Sequence, residues 1–440
     1  QVQDVDVIVV RPESVAGQIA QIVGARVVAL HGDPVMLRVP FGSQKWLDVC
    51  APAGADIKAD LATRDFTINA LAADLRSGEL LDPFGGVRDL RAGIIRVTDP
   101  SVIDADPARI LRAYRLSADL GFRIAPRTAA HLRDRAHRLA DAAGARLGRE
   151  MLKWLSSDRP VAETIAWAVR DEVLVRVLPQ LADMRGIGRG GYHHLDALDH
   201  TLEALRILDR LLAAPTVLFR QGGPLLEDTV ADPAWRAVAR AAVLLHDTGK
   251  PAALYVDERG RTWFRGHEEI SAAMAADLLT RWAWPRRLRE AVERVVREHM
   301  RPLQLAREAV GGIGGVTERA WLRLVRDVGL ENFRVLVLAA AADVLAARGP
   351  ASRNDERNAM IALLDGRLAG LAEMETRGPE PLVDGRTLMA ELGIAPGPAV
   401  GHLLREIERA REQGTISTRE EALELARKVL QAMREAGWNK

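Results

Sequence analysis

Residues 59–75 of the chain read ADLATRDFTINALAADL, and two further long motifs follow closely, LLDPFGGVRDL at residues 80–90 and DADPARILRAYRLSADLGFRI at residues 104–124. In the third motif the apolar residues recur at helical spacing, so that one stripe of a helix contains Ile110, Leu111, Tyr114, Ala118 and Phe122. The motifs therefore lie at the boundary between a region with both strand and helix patterns and a region whose pattern is helical.

On the N-terminal side of these motifs the sequence predicts a small α/β head. Residues 5–10, 35–40 and 45–52 are short and rich in β-branched residues, which favours strands. Residues 12–23 predict a helix with a proline in its first turn. From about residue 105 onward helical periodicity dominates, so the fold class is α+β. The predicted domains are a head at residues 1–95, a helical neck at 96–185, a helical middle domain at 186–350 and a helical tail at 351–440.

The composition excludes several classes of protein. Hydrophobic residues make up 48% of the chain and charged residues 28%, as in ordinary soluble proteins. The single cysteine, Cys50, excludes an internal disulfide framework and a cysteine zinc cluster. No signal peptide and no apolar run of about 18 residues is present, so we expect a cytoplasmic protein without a membrane partner. The net charge of +1 means that a polyanion would have to bind local basic patches.

Two acidic residues lie close together at the first predicted strand. Asp4 and Asp6 are two positions apart, which places both side chains on one face of a strand. Asp48, in a later predicted strand, could add a third carboxylate to that face. Such carboxylates repel each other unless a cation such as Mg²⁺ neutralises them. The alternative is an exposed strand end without a function.

Together the acidic pair and the three motifs resemble the class II CCA-adding enzymes, which are bacterial tRNA nucleotidyltransferases, and the related bacterial poly(A) polymerases. The resemblance is dense over residues 1–150 and looser toward the C-terminus. It implies a polymerase-beta-type nucleotidyltransferase head that adds or repairs the 3′-terminal CCA of tRNA from CTP and ATP. It also implies that no nucleic-acid template is needed and that the chemistry is two-metal phosphoryl transfer.

The resemblance also implies roles for single residues. Asp4 and Asp6 match the catalytic pair that holds Mg²⁺, and Asp48 is grouped with them as a third catalytic carboxylate. The residues that match contacts to the ribose and phosphates of the incoming nucleotide are Arg64, Asp65 and Asn69. The residues that match the hinge between head and neck are Asp82, Phe84 and Gly85. Asp106 and Arg109 match the pair that selects the base from one helix, and Arg112 is grouped with the nucleotide-binding residues. The alternative for Asp106 and Arg109 is an exposed ion pair.

The chain departs from the family pattern in three places. The Gly-Gly-x-Val-Arg-Asp stretch that should precede Asp4 is absent, which we interpret as an N-terminally incomplete head or a true loss. Ala105 and Thr63 replace a common Glu and a common Arg. The segment at residues 50–64 is short, as in relatives that add only CC. The alternatives are therefore a CC-adding or A-adding enzyme, a poly(A) polymerase, or an HD phosphohydrolase with a degenerate RNA-binding head.

A second set of residues lies in the middle domain, at helical segments or their ends. Its members, all suited to divalent transition metals, are His200, His246, Asp247, His267, His299 and Asp343. The set resembles the HD superfamily of metal-dependent phosphohydrolases, of which HDTGK at residues 246–250 is typical. It implies phosphatase or 2′,3′-cyclic phosphodiesterase activity. Six ligands would give room for two metals roughly 3.5–4 Å apart, with Asp247 as the bridge.

Three further residues near the set have less specific interpretations. Lys250 is predicted to neutralise a substrate phosphate or to lie at the surface. His193 and His194 could line the substrate cleft, or they could begin a polar helix. The alternative for the whole set is a degenerate HD domain that only supports the helical body. The identity of the metal and the oligomeric state stay open.

Overall fold

The structure is a computed structural model, and its described part falls into two compact units, residues 1–368 and residues 369–440. It describes residues 4–32, 35–42, 45–190, 194–311, 316–377, 382–412, 415–416 and 418–435. Within these ranges, no helix combines the length and the apolar composition needed to cross a membrane.

The head begins with a four-stranded sheet of strand order β1–β4–β3–β2. Its elements are β1 (Asp4–Ile8), α1 (Pro12–Val23), β2 (Val28–Gly32), β3 (Val35–Pro40) and β4 (Trp46–Cys50). β1 and β4 are parallel, and the other two pairs are antiparallel. α1 covers one face of the sheet, where Ala16 and Ala20 pack against Val39 and Val49. The opposite face is therefore left for polar side chains.

The α+β class and the strands and helix predicted for the head are confirmed, but the sequence analysis misses β2. Val28 and Leu30 in this strand are 48% and 43% exposed. β2 is an edge strand with one neighbour, so little of it is buried, and its sequence VALHG lacks the alternation of apolar and polar residues that marks a half-buried strand.

Short elements complete the head and the neck. The head continues with α2 (Ile57–Ala62), a 3-10 turn (Thr67–Asn69), β5 (Ala72–Ala73), β6 (Leu80–Leu81), α3 (Gly86–Ala92) and β7 (Ile94–Ile95). The neck contains α4 (Ser101–Ala105), α5 (Arg109–Leu120), β8 (Arg123–Ile124), α6 (Pro126–Asp134), a 3-10 turn (Ala136–Asp141), α7 (Gly144–Leu155), α8 (Ala162–Arg170), α9 (Leu174–Val177) and α10 (Gln180–Asp183). α5 buries Ile110, Leu111, Tyr114 and Ala118 of the predicted stripe, and Phe122 lies beyond its end.

The middle of the chain is a bundle of longer helices. Its elements are α11 (Ala197–Ala213), α12 (Pro215–Leu218), α13 (Gly223–Ala231), α14 (Pro233–Leu245), β9 (Tyr255–Val256), β10 (Thr262–Trp263), α15 (His267–Arg281), α16 (Arg286–Glu298), α17 (Met300–Gly311), α18 (Glu318–Val328), α19 (Leu330–Ala346) and α20 (Asn354–Arg377). α19 is buried along nearly its whole length, because its sequence is apolar on all sides. It packs against α11 and α14 and forms the centre of the bundle.

The C-terminal unit has its own core. Its helices are α21 (Gly385–Leu392), α22 (Pro398–Glu412) and α23 (Arg419–Glu435). Leu388, Leu403, Ile407 and Ala426 are buried together between them. This unit is therefore a small three-helix domain that buries its apolar faces by itself.

The neck and the middle bundle approach each other closely at α7. A Cβ atom built on Gly148 would lie 2.0 Å from the carbonyl oxygen of Trp282, so only glycine fits there. The indole nitrogen of Trp284 donates to the Gly148 carbonyl at 3.0 Å. The two parts of the chain are thus in contact through their backbones.

A buried arginine holds the same two parts together. Arg240 in α14 is 2% exposed, and its guanidinium donates to Asp209 of α11 at 2.8 Å. It also donates to the carbonyls of Leu155, Ser157 and Arg159, where α7 ends. Asp209 in turn accepts the backbone amides of residues 161 and 162, where α8 begins. The cluster of Arg240, Asp209 and residues 155–162, here called the Arg240 clamp, satisfies every charge that it buries.

We expect Arg240→Met to lower the free energy of unfolding of the first unit by about 3–5 kcal/mol, because it leaves Asp209 charged and buried without its cation. Urea denaturation followed by circular dichroism measures the change. Arg286→Ala is the matched control, since Arg286 lies 83% exposed on α16 and should alter stability by about 0.5 kcal/mol or less. An unchanged denaturation midpoint for Arg240→Met would show that the clamp does not stabilise the unit.

Candidate active sites

The first candidate site lies on the face of the sheet that α1 leaves open. Asp6 and Asp48 are register partners in the parallel pair of β1 and β4, so their side chains share this face. Arg64 lies beside them, with its Nη1 atom 3.3 Å from Asp6 Oδ2 and its Nη2 atom 3.5 Å from Asp60 Oδ2. Asp4 lies two residues before Asp6 in β1, but its side chain is outside the described part of the chain. The predicted grouping of carboxylates is therefore present for Asp6 and Asp48.

Asp48 differs from Asp6 in its surroundings. It is buried, and both of its oxygens accept from the guanidinium of Arg38 at 2.8 and 2.7 Å. Asp6 is half-exposed. The bidentate pair fixes the orientation of Asp48 and leaves Asp6 accessible to a ligand.

Cys50 indicates how acidic this face is. Burial, together with the carboxylates of Asp6, Asp48 and Asp60 and against the opposing effect of Arg64, raises the pKa of its thiol to about 11. A negative potential that disfavours a thiolate favours a bound cation. This face therefore suits a hard divalent metal with oxygen ligands.

Predicted nucleotide-binding residues of the first and third motifs form a network. Asp65 is buried, and it accepts from the Asn69 amide at 3.0 Å and from Arg112 Nη1 at 2.8 Å. Burial favours the neutral acid, but these two hydrogen bonds outweigh it and lower the pKa of Asp65. Asp65 therefore holds Asn69 and Arg112 in place, and its own contact with a nucleotide stays a prediction.

Glu150 of α7 anchors this network and was not predicted. It accepts from Arg112 at 2.9 and 3.1 Å and from Arg115 Nε at 2.8 Å. Burial would raise the pKa of Glu150, but the two arginines lower it below its ordinary value. Arg112 thus links Asp65 in the head to Glu150 in the neck.

The predicted base-selecting pair is adjacent but does not lie on one helix, so that part of the prediction is wrong. Asp106 follows the end of α4 in an extended conformation, and Arg109 is the first residue of α5. Pro107 explains the break, because a residue before proline is disfavoured in the helical region. Arg109 Nε lies 3.7 Å from Asp106 Oδ2 and has no hydrogen-bond partner among the residues that the structure describes. Arg146 of α7, also not predicted, is paired with the same carboxylate.

The predicted hinge residues form a helix start. The carboxylate of Asp82 accepts the backbone amides of Gly86 and Val87 at 2.6 and 3.1 Å, which caps α3. Gly85 has a φ of 74°, in the region that favours glycine. A hinge role for Asp82, Phe84 and Gly85 stays a prediction.

The second candidate site lies inside the middle bundle, where the six predicted metal ligands form two groups of three. In each group the ligand atoms lie within 4.8 Å of one another, and the groups are His200, His246 and Asp343, and Asp247, His267 and His299. Asp247 belongs to the second group but contacts both: its Oδ2 atom lies 3.2 Å from His246 Nε2 of the first group, and its Oδ1 atom lies 3.3 Å from His267 Nε2 of the second. Residues from separate helices thus converge as predicted. These six residues form the HD centre.

Backbone carbonyls orient three of the imidazoles in the HD centre. The Nδ1 atoms of His246, His267 and His299 lie 2.7, 2.8 and 2.6 Å from carbonyl oxygens three residues earlier in the chain. Since a carbonyl only accepts, each Nδ1 carries a proton, and each ring in its neutral form presents a lone pair at Nε2. Burial, together with His246 and His267, lowers the pKa of His299 to about 3, so this ring is neutral.

This arrangement fits divalent metal ions. His267 Nε2 and His299 Nε2 lie 3.2 Å apart, so two lone pairs face each other unless a cation lies between them. His246 Nε2 is buried and faces Asp247 Oδ2 at 3.2 Å, so a metal ion bound there would meet a nitrogen and an oxygen ligand side by side. A cavity of about 10 Å³, room for about one water-sized particle, is lined by His246, His299 and Asp343.

The residues around the HD centre are placed as follows. Lys250 is buried, with its Nζ atom 2.6 Å from Asp247 Oδ2, so the surface alternative is wrong. Burial opposes the charge on Asp247, but His246 and Lys250 hold the pKa of this carboxyl well below its ordinary value. His194 lines a surface pocket with Asp199, Glu203 and Arg206, whereas His193 lies outside the described residues.

Three family descriptions match parts of the chain. Residues 42–96 match the Poly A polymerase head domain, residues 121–184 match the probable RNA and SrmB-binding site of polymerase A, and residues 197–348 match the HD domain. The predicted domain boundaries stay predictions.

Similar proteins span nearly the whole chain. An A-adding tRNA nucleotidyltransferase of Deinococcus radiodurans is 33% identical, over 93% of this chain and 88% of its own length. A CC-adding tRNA nucleotidyltransferase of Thermus thermophilus is 32% identical, over 95% of this chain and 88% of its own length. The CCA-adding enzyme of Thermotoga maritima complexed with tRNA is similar in structure, with a TM-score of 0.58 and 22% identity over 98% of this chain and 87% of that chain. This last likeness establishes the fold.

Proposed function

Because the chain belongs to the family of bacterial tRNA nucleotidyltransferases, we propose that its head transfers nucleotides from CTP or ATP to the 3′ end of tRNA. The observation that carries the proposal is the pair of Asp6 and Asp48, opposite each other in register on the open face of the sheet. Arg64 beside them adds a positive charge that suits a triphosphate.

Asp4, Asp6 and Asp48 are the residues that would hold Mg²⁺. The bound ions would neutralise charge on the triphosphate and on the reacting oxygens. In the transfer, the 3′ oxygen of tRNA bonds to the α-phosphorus, the bond from that phosphorus to the β-phosphate oxygen breaks, and pyrophosphate leaves. Arg38 binds both oxygens of Asp48 and so fixes the orientation of this carboxylate.

Asp106 and Arg109 are the residues that would select the base. A carboxylate accepts from an exocyclic amino group, and a guanidinium donates to ring nitrogen or oxygen. Within the described part of the chain the Nε donor of Arg109 has no hydrogen-bond partner, and Arg146 is paired with Asp106. Protein atoms could therefore replace a nucleic-acid template in the choice between nucleotides.

Incubation of a tRNA that lacks its 3′ end with labelled CTP and ATP, separately and together, tests the proposal and defines whether CC, A or CCA is added. We expect Asp6→Ala to abolish incorporation, because the loss of one metal ligand removes transition-state stabilisation of several kcal/mol. The fold should survive, since Asp6 is half-exposed. Asp277→Ala, at an exposed carboxylate on α15, is the control. A near-normal rate in Asp6→Ala would contradict the assignment.

We expect Arg109→Ala to weaken discrimination against UTP and GTP by about 1–3 kcal/mol, the range for one well-placed contact to a base edge. Binding of tRNA, measured by filter retention, should change little. Arg127→Ala on α6, where Arg127 is exposed, serves as the control. If the variant still rejects UTP and GTP as the parent does, Arg109 does not select the base.

For the middle bundle we propose a second activity, metal-dependent hydrolysis of phosphate esters at RNA 3′ ends, including 2′,3′-cyclic phosphates. The observation that favours it is the pair of ligand groups with Asp247 between them. Bound transition metals would supply an activated water and charge neutralisation. The water oxygen bonds to phosphorus, one phosphorus–oxygen ester bond breaks, and the leaving oxygen takes a proton. Lys250 keeps Asp247 ionised and adds a positive charge at the site.

We expect Asp247→Ala to remove bound metal and any hydrolysis of cyclic phosphate, while nucleotide incorporation is retained because the head lies elsewhere in the fold. Elemental analysis by mass spectrometry measures the metal directly. Retained incorporation also shows that the variant is folded, and Asp277→Ala again serves as the control. Unchanged metal content in Asp247→Ala would exclude this site as the metal centre.

A further inference from the structure

The hairpin between Lys250 and His267 exposes aromatic side chains. β9 and β10 pair so that Tyr255 lies opposite Trp263, which puts both rings on one face of the ribbon. Tyr255 is 63% exposed and Trp263 is 38% exposed. Such exposure of large apolar side chains on one short hairpin indicates a surface that binds a partner.

The tryptophan in this hairpin is held in a fixed orientation. Its indole nitrogen donates to Asp257 Oδ2 at 3.2 Å, and Asp257 also binds the guanidinium and the amide of Arg261. The guanidinium carbons of Arg261 and Arg265 lie 5.5 and 5.4 Å from the centroid of the Trp263 ring. The result is a preorganised group of flat aromatic and guanidinium surfaces.

The charge of the hairpin favours an anionic partner. Residues 254–265 contain three arginines, Arg259, Arg261 and Arg265, and two acids, Asp257 and Glu258. Asp257 is already engaged by Arg261, Trp263 and two backbone amides. The net surface is therefore basic and aromatic, which suits a partner that carries both negative charge and flat rings.

The base of the hairpin contacts the HD centre directly. The carbonyl of Phe264 lies 2.8 Å from His267 Nδ1, and the Nζ atom of Lys250 lies 5.7 Å from the centroid of the Phe264 ring. The residue after Trp263 thus touches one metal-ligand candidate and the cation beside Asp247. A partner bound to the hairpin would lie next to the HD centre.

We propose that this hairpin binds the unpaired 3′ end of an RNA and presents it to the HD centre. Unpaired RNA bases stack on aromatic rings and on guanidinium planes, and the neighbouring phosphates pair with arginine. The proposal rests on the hydrolase function proposed above, but the binding of RNA to the hairpin can be measured without hydrolysis.

The test compares two substrates of the full-length protein, a short single-stranded RNA that ends in a 2′,3′-cyclic phosphate and the small diester bis(4-nitrophenyl) phosphate. We expect Tyr255→Ala and Trp263→Ala to raise KM for the RNA by about tenfold relative to KM for the diester, in line with the loss of roughly one stacked base. Arg259→Ala, at the tip of the hairpin, should raise KM for the RNA and weaken its salt dependence. Val217→Ala, at a 76% exposed apolar residue on α12, should change neither value.

Photo-crosslinking of the same RNA, with 4-thiouridine near its 3′ end, separates the two proposals. Crosslinks on residues 254–265 without hydrolysis of either substrate would support the hairpin and contradict the hydrolase. Hydrolysis of the RNA with unchanged KM in all three variants, and crosslinks elsewhere, would overturn the hairpin proposal. A change of oligomeric state in the variants with unchanged KM for the RNA would also overturn it, because the surface would then join two copies of the chain.

Discussion

The ion pair of Arg240 and Asp209 connects both candidate sites to one core. Arg240 lies on α14, whose end carries His246, and Asp209 lies on α11, which carries His200. The carbonyls and amides that the Arg240 clamp binds belong to the junction of α7 and α8, and α7 also carries Glu150. A cation this deeply buried is stable only when all its donors are satisfied. The helices that supply two metal-ligand candidates and the anchor of the nucleotide network are thus held by one cluster of hydrogen bonds.

Different kinds of contact hold the side chains of the two candidate sites in place. In the head, arginines hold the carboxylates: Arg38 fixes Asp48, and Arg112 fixes Asp65. In the HD centre, backbone carbonyls fix the imidazoles through Nδ1 and leave Nε2 for a ligand. The first arrangement suits hard cations with phosphate oxygens, and the second suits transition metals with nitrogen ligands. The type of ligand atom in each site therefore determines which class of metal ion the site suits.

Membership of the family leaves the choice of nucleotide open. The A-adding and the CC-adding relatives are almost equally similar to the chain, at 33% and 32% identity. Under the proposal that Asp106 and Arg109 select the base, the choice of nucleotide depends on a few local residues. Whole-chain similarity is insensitive to a few residues of this kind, because most of it comes from positions that form the core.

Much of the protein was determined by local sequence. Three features depend on neighbouring residues alone: the strand pattern at residues 35–40, the proline at the start of α1 and the apolar stripe of α5. The six residues of the HD centre were identified from short motifs that resemble the HD superfamily. The edge strand β2 was missed because little of it is buried. Only the tertiary structure paired Glu150 and Arg146 with residues about 40 positions away, buried Lys250 against Asp247 and placed Asp106 outside the helix that begins at Arg109. These contacts depend on how distant helices pack, and no periodicity within a segment specifies which charged side chain will meet another across a helix interface.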